Sequence, residues 1–355
     1  MRVRNPRQKR LGMVILVQAV LFSFVITGAL AQEADSAVQD QALAEAQAKA
    51  EQEKGSAAQA PAAPQESTRF TPQELSKIET AQTFRQDVQQ DVAIRGQDYP
   101  FNMESYTRFM PKSKVNTQDG SVAITDAAAE WSYEHKFFDR LPVEFSMEQS
   151  YINVNNSTAV KIPSRLTGIG FGLDVTLPLL MLEKMYFRIG VTPSFYTDNW
   201  SLYENALRLP QRYLAIWQPN DKFTAILGMA VYPRFKDVFL PIAGVIYKPN
   251  DKWLFNLVPS RPTINYTFND KIAFFGEYSM SGGEYVVTKE ENKGTPLNYD
   301  EQHAGVGLVY TLNKHIQGSL AVGGAFARTL QYRESYGKVD IKNGFYTEFR
   351  VNVDM

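Results

Sequence analysis

The chain has 355 residues, with 37 Lys and Arg against 38 Asp and Glu, for a formal net charge of −1. That balance carries no electrostatic footprint for a nucleic-acid partner. There is no cysteine, which excludes a disulfide framework and a lipid-modified N-terminal Cys.

Residues 1–10 carry Arg2, Arg4, Arg7, Lys9 and Arg10, and 11–28 are apolar apart from Gln18, Ser23 and Thr27. Ala29-Leu30-Ala31 then matches the small-x-small cleavage pattern. The combination predicts a signal peptide over 1–31, cleaved after Ala31, with an uncleaved anchor as the alternative. Loss of its five cations takes the net charge from −1 to −6. No other stretch approaches the ~20 apolar residues of a spanning helix, so any membrane passage must come from strands. Residues 32–66 are rich in Ala, Gln and Glu, with Pro61 and Pro64 near the end. They predict a low-complexity periplasmic segment that buries no core, and no steady heptad supports a coiled coil. Within 67–99, Thr71-Pro72-Gln73-Glu74 is a capping box with Pro at the first helical position. Leu75, Ile78, Ala81, Phe84 and Val88 come after it at helical spacing. A short amphipathic helix and linker are expected, either plugging or docking to the C-terminal β region or lying against the periplasmic rim of that region.

From about 100 to 355 the period is two. Gln218-Pro219-Asn220-Asp221-Lys222-Phe223 recurs as Lys248-Pro249-Asn250-Asp251-Lys252-Trp253, and shortened as Phe268-Asn269-Asp270-Lys271. Pro, Asn and Asp suit tight turns. Between such turns, Phe223, Ala225, Leu227, Met229 and Val231 share one face, as do Ile264, Tyr266 and Phe268. Candidate strands are 101–112, 120–136, 141–154, 160–177, 184–198, 208–218, 222–233, 238–248, 252–258, 262–268, 271–288, 298–312, 315–332 and 339–355. Short turns largely alternate with longer polar loops, as in bacterial barrels with periplasmic turns and extracellular loops. The expected fold is all-β: a transmembrane antiparallel up-and-down β-barrel of about fourteen strands. Twelve is the fallback, because 252–258 and 262–268 are short for spanning strands and 234–237 and 259–261 short for outer loops.

A soluble sandwich shares this alternation. Export, and aromatics near strand ends (Trp131, Tyr133, Trp200, Tyr203, Trp217, Tyr247, Trp253, Tyr310), favour the barrel. So do the last two strands. Leu320, Val322, Phe326, Phe345, Phe349, Val351, Val353 and Met355 oppose a set suited to a lumen: Gln317, Ser319, Ala321, Gly323, Ala325, Ala327, Tyr346, Glu348, Arg350 and Asn352.

Three stretches carry a resemblance: Leu240-Pro241-Ile242-Ala243-Gly244, Trp253-Leu254-Phe255-Asn256-Leu257-Val258-Pro259, and Tyr266 after Pro262. From about Ser105 to Met355 the chain resembles the outer-membrane β-barrel proteins of Gram-negative bacteria. More narrowly it resembles one of their uncharacterised families, a domain of unknown function. The resemblance implies the fold and the outer membrane, and no chemistry. It also implies a terminal strand read by the barrel-insertion machinery. Gly344, Tyr346, Phe349 and Val351 suit that strand, although the chain ends in Met355 rather than an aromatic residue.

No catalytic set stands out. The histidines are His135, His303 and His315; no serine neighbours His303, and no Gly-x-Ser-x-Gly elbow occurs. Asp300, Glu301 and His303 read as a solvated loop edge, which with Glu290 and Glu291 allows at most a weak extracellular cation site. Gly282-Gly283 and Gly323-Gly324 read as kinks rather than phosphate loops. The candidate lumen-facing residues are Glu130, Glu144, Glu148, Glu277, Glu348, Arg350 and Asn352, since strand charges are tolerated inward and a cation costs ~2–4 kcal/mol outward at mid-depth. They form either a selective polar pathway or an ion-pair network filling a closed barrel. The expected function is porin-like passive passage of small polar solutes, with neither enzyme activity nor cofactor. The alternative is a structural or ligand- or partner-binding barrel without conductance, acting through loops 199–207 and 289–297. The expected partners are the lipid bilayer, the insertion machinery and a small polar solute.

Overall fold

The computed structural model describes residues 100–355, apart from 117, 138–140, 180–183, 201–203, 236–237, 260, 289–292 and 334–336. The predicted signal peptide with Ala29 and Ala31, the segment 32–66, the helix within 67–99, Tyr203, and Glu290 and Glu291 lie outside the described residues.

Fourteen antiparallel strands succeed one another around a closed barrel. They are β1 (Phe101–Lys114), β2 (Ser121–Phe137), β3 (Leu141–Asn156), β4 (Arg165–Pro178), β5 (Met185–Val191, resumed at Ser194–Thr197), β6 (Leu207–Arg208, resumed at Gln211–Asn220) and β7 (Phe223–Val231). Then come β8 (Phe239–Tyr247), β9 (Trp253–Asn256), β10 (Thr263–Asn269), β11 (Ile272–Val286), β12 (Pro296–Asn313), β13 (Ile316–Tyr332) and β14 (Lys338–Ile341, resumed at Gly344–Asp354). Both short strands, β9 and β10, are present, so the count is fourteen and not twelve. β14 pairs with β1 from Asn102↔Asp354 to Phe109↔Thr347 and closes the sheet. Met355 takes part in the closure: its amide donates to Phe101 O at 2.8 Å and its carbonyl accepts from Phe101 N at 2.9 Å.

The recurring turns work through one atom. Asn220, Asn250, Asn269 and Asn313 each turn their side-chain oxygen onto the amide two residues ahead, at 2.8–2.9 Å. This Asx closure fixes a tight reversal without glycine. All four lie at the end of the barrel where β1 begins and β14 ends, here the terminal end. Connections at the opposite, distal end are mostly longer. The breaks within β5 and β6 fall at Pro193 and Pro210, which have no amide hydrogen to offer a ladder.

The outward face is apolar. Leu227, Phe239, Val306, Leu320 and Phe345 are all more than half exposed. Exposed Tyr133, Trp217, Tyr247, Trp253 and Tyr310 cluster toward the terminal end. One inner face departs from strict alternation. Ala327 adopts φ +49°, and the β12–β13 register shifts between Gln302↔Phe326 and Asp300↔Thr329. This bulge breaks the expected inward run at Ala327, and Arg328 becomes the buried residue.

Strand height is uneven. β1–β4 and β11–β13 span 14 to 18 residues, whereas β7–β10 span 4 to 9. Above the low wall, the taller flanks meet. Thr197 on β5 bridges in parallel to Val286 on β11. Asp198 Oδ1 accepts from Thr288 N at 3.0 Å, and Tyr196 meets Tyr285 edge-to-face with centroids 5.7 Å apart. Arg208 adds a buried ion pair to Glu284 at 2.9 Å.

Candidate functional site: the barrel interior

On β1, Glu104, Tyr106 and Arg108 share one face and stand opposite Asn352, Arg350 and Glu348 of β14. Arg108 is fully buried. Its Nε and Nη2 both donate to Glu348 Oε2, at 2.8 and 2.6 Å. Its Nη1 donates to Ser281 Oγ at 2.9 Å and reaches Asp126 at 3.5 Å. Ser281 is on β11, which does not neighbour β1, so this contact runs through the interior of the cylinder.

A second arginine comes from a loop. After β9 the chain turns inward across Gly244 of β8, so closely that a Cβ there would lie 2.6 Å from Val258 Cα. That approach needs glycine. The same turn delivers Arg261, which is buried, donates to Glu277, and reaches Glu348 at 3.5 Å and Glu104 at 3.7 Å. Arg350 pairs with Glu348 and with Glu104 at 3.3 Å. Arg328, turned inward by the bulge, donates to Glu301 at 2.6 Å, and Glu301 also holds His303. His303 Nε2 lies 3.4 Å from Arg108. These contacts join into one belt of arginines and carboxylates. A second group, farther round the wall, links Arg188 to Glu144 at 2.6 Å and Arg212 to Asp174 at 2.9 Å. Buried ions of this kind persist only when their partners are in place.

Glu348, Arg350 and Glu277 join the belt, and Tyr346 Oη also donates to Glu277 at 3.3 Å. Glu144 joins the Arg188 group. Glu148 accepts from Ser194 Oγ and Tyr196 Oη, both at 3.3 Å. Asn352 Oδ1 accepts from Asn102 Nδ2 at 2.9 Å. Glu130 stands between Glu104 and Glu148 in register. Sequence reasoning missed most of the cations, although Arg108 keeps the parity of Glu104, and Arg188 and Arg212 stand in register with residues of inward parity. The loop-edge reading of Glu301 and His303 is wrong: both lie within β12 and are fully buried. Ser279 stands opposite His303, but neither its Oγ nor His303 Nδ1 has a hydrogen-bond partner, so no nucleophile–base contact forms. Among the described residues no group of three His, Asp or Glu side chains is placed to hold a metal ion.

Two cavities flank the belt. The larger, ≈ 320 Å³, lies toward the terminal end, lined by Asn265, Arg261, Glu277, Gln317, Arg350 and Asn352 among others. The smaller, ≈ 90 Å³, lies deeper, and Glu104 lines both. Distal to them, Val122, Ile124, Val154, Leu166, Leu297 and Leu330 are buried together as an apolar layer.

Residues 106–355 match a family described as a domain of unknown function, DUF6268. Comparison with curated proteins returned no match. Among solved structures, an outer membrane channel from Pseudomonas putida F1 is similar at 10% identity and TM-score 0.41, covering 72% of this chain and 96% of that one. A Pseudomonas aeruginosa FadL homologue gives 8% identity and TM-score 0.41 over 72% and 90%. The KdgM porin in complex with disordered oligogalacturonate gives 10% identity and TM-score 0.32 over 72% and 99%.

Proposed function

The chain belongs to the DUF6268 family, whose description assigns no activity, and from the barrel's own side chains we propose that it passes small polar solutes across the outer membrane. One observation carries the reading. Inside a closed barrel with an apolar outer face, two cavities share Glu104 in their linings beside a belt of mixed charge. A barrel whose backbone groups are paired between strands, with aromatics exposed toward one rim, suits lipid outside and water inside. Export would use the predicted signal peptide with cleavage after Ala31, and insertion would read β14. The short-turn end would face the periplasm. In this reading Glu130, Glu144, Glu148, Glu277, Glu348, Arg350 and Asn352 line the path, and the arginine–carboxylate belt selects by charge.

A second reading is favoured by the apolar layer and the β5–β11 contact, which close the distal end: a solute-binding barrel that does not conduct. Single-channel recording in planar bilayers separates the two. Discrete steps that vanish or change ion preference in Arg261→Gln support passage. A folded barrel that stays silent under all voltages, yet retains solute, leaves only the binding reading.

A further inference from the structure

The smaller cavity has an unusual wall. Glu104, Glu130 and Glu148 stand directly opposite one another across β1, β2 and β3. Like charges in such cross-strand pairs repel, and here two such pairs occur in one row. Asp126 adds a fourth carboxylate, and among the described residues no Lys, Arg or His lines the cavity. Arg350 and Arg261 reach Glu104, and Arg108 reaches Asp126, from outside that lining. β4 adds Gly168 to this lining, where the packing is close. A Cβ on Gly168 would come within 2.5 Å of Ser150 Oγ and 2.8 Å of the Tyr196 ring. Tyr106, Tyr285 and Tyr299 also line the cavity. Tyr299 is fully buried, and its hydroxyl has no hydrogen-bond partner.

We propose that this cavity binds a small aliphatic amine in its ammonium form. The carboxylates are spread along a row, and among the described residues they do not converge as a metal site does. A ligand with donors several ångströms apart fits a row better than a bare ion. Tyrosine faces attract an ammonium group and pack its methylenes. At about 10–15 Å³ of centre volume per water, ≈ 90 Å³ holds about six to nine non-hydrogen atoms. The unpartnered Tyr299 hydroxyl supplies an acceptor for an N–H. The inference rests on the passage reading only in placing the cavity on a solute path.

The test uses the full chain, purified from membranes in detergent, and 1,4-diaminobutane as probe in titration calorimetry at low salt. Saturable binding of the diamine is expected, with none of the neutral isostere 1,4-butanediol. Glu130→Gln with Glu148→Gln is expected to weaken binding at least tenfold, and Tyr299→Phe three- to tenfold, with heat-modifiable gel migration confirming that each variant is folded. Absence of binding by the folded wild type, equal binding of the diol, or unchanged affinity in both variants overturns the proposal. Calcium displacing the diamine at equal concentration overturns the organic assignment. Bilayer recording of the same preparation keeps the two readings apart: silence with diamine binding intact counts against passage alone, and conductance without diamine binding counts against this site alone.

Discussion

Arg108 shows how single side chains hold the interior. Its guanidinium is shared among Glu348, Asp126 and Ser281, from three other strands. Removing it leaves buried Asp126 without its arginine and takes one of three from Glu348, so Arg108→Leu is expected to destabilise the barrel by ~3–5 kcal/mol, whereas replacing both Arg108 and Asp126 by Leu should cost less than the single change. Denaturant unfolding of the two single variants and the double variant checks this as a coupling energy. On the neighbouring strand, Phe349 is exposed on the apolar face while Arg350 bridges two carboxylates. Phe349→Arg should cost ~2–4 kcal/mol in a bilayer and lower the membrane-inserted fraction. Arg350→Ala should lower it far less, because Arg108 and Arg261 still reach Glu348; equal losses would mean that the strand's faces are assigned backwards. Parity made the Glu348 and Arg350 positions legible in the sequence. Arg261 was not legible, because its inward position depends on a loop folding over Gly244. Nor was Arg328, which a parity count turns outward.

At the scale of elements, turns were the most legible feature, because an Asn side chain closes each of four of them within three residues of sequence. The bulge in β13 left no such mark: Gly323-Gly324-Ala325-Phe326-Ala327-Arg328 does not say which residue takes positive φ. Ala327 at φ +49° carries the cost of a left-handed backbone on a residue with a Cβ. Ala327→Gly is therefore expected to leave stability unchanged or raise it by ~1 kcal/mol, and Ala327→Val to lower it, as read by thermal loss of heat-modifiable migration. β4 gives the opposite case. Its inward positions Gly168, Gly170 and Gly172 lie beneath Tyr196, Glu148 and Ser146. Gly168→Val would drive a branched side chain into the Tyr196 ring, and a loss of ~1–3 kcal/mol is expected from overpacking. The same unfolding assay measures it.

For the whole molecule, strand number and antiparallel order were readable from alternation and turn spacing. The way fourteen strands fill their own middle was not. Long arginines, an inward loop and the junction of β5 with β11 occupy space that eight strands would not leave. The junction should act as a cover. Asp198→Ala combined with Thr288→Val removes the Asp198–Thr288 bonds while leaving the Arg208–Glu284 pair and the belt intact, and larger or more frequent conductance steps in planar bilayers are expected; an unchanged current would show that the distal end is not closed by these bonds. The low wall beneath it reaches beyond the protein. β9 holds four residues, roughly 14 Å of strand at ~3.4 Å per residue, against an apolar band of ~25 Å in barrels of this kind. Beside β9 the strand is shorter than that band, so in a bilayer the acyl chains there are expected to shorten or tilt, at a fraction of a kcal/mol per ångström of mismatch. Placed in a bilayer as we propose, the barrel is expected to thin the lipid along one side more than the other.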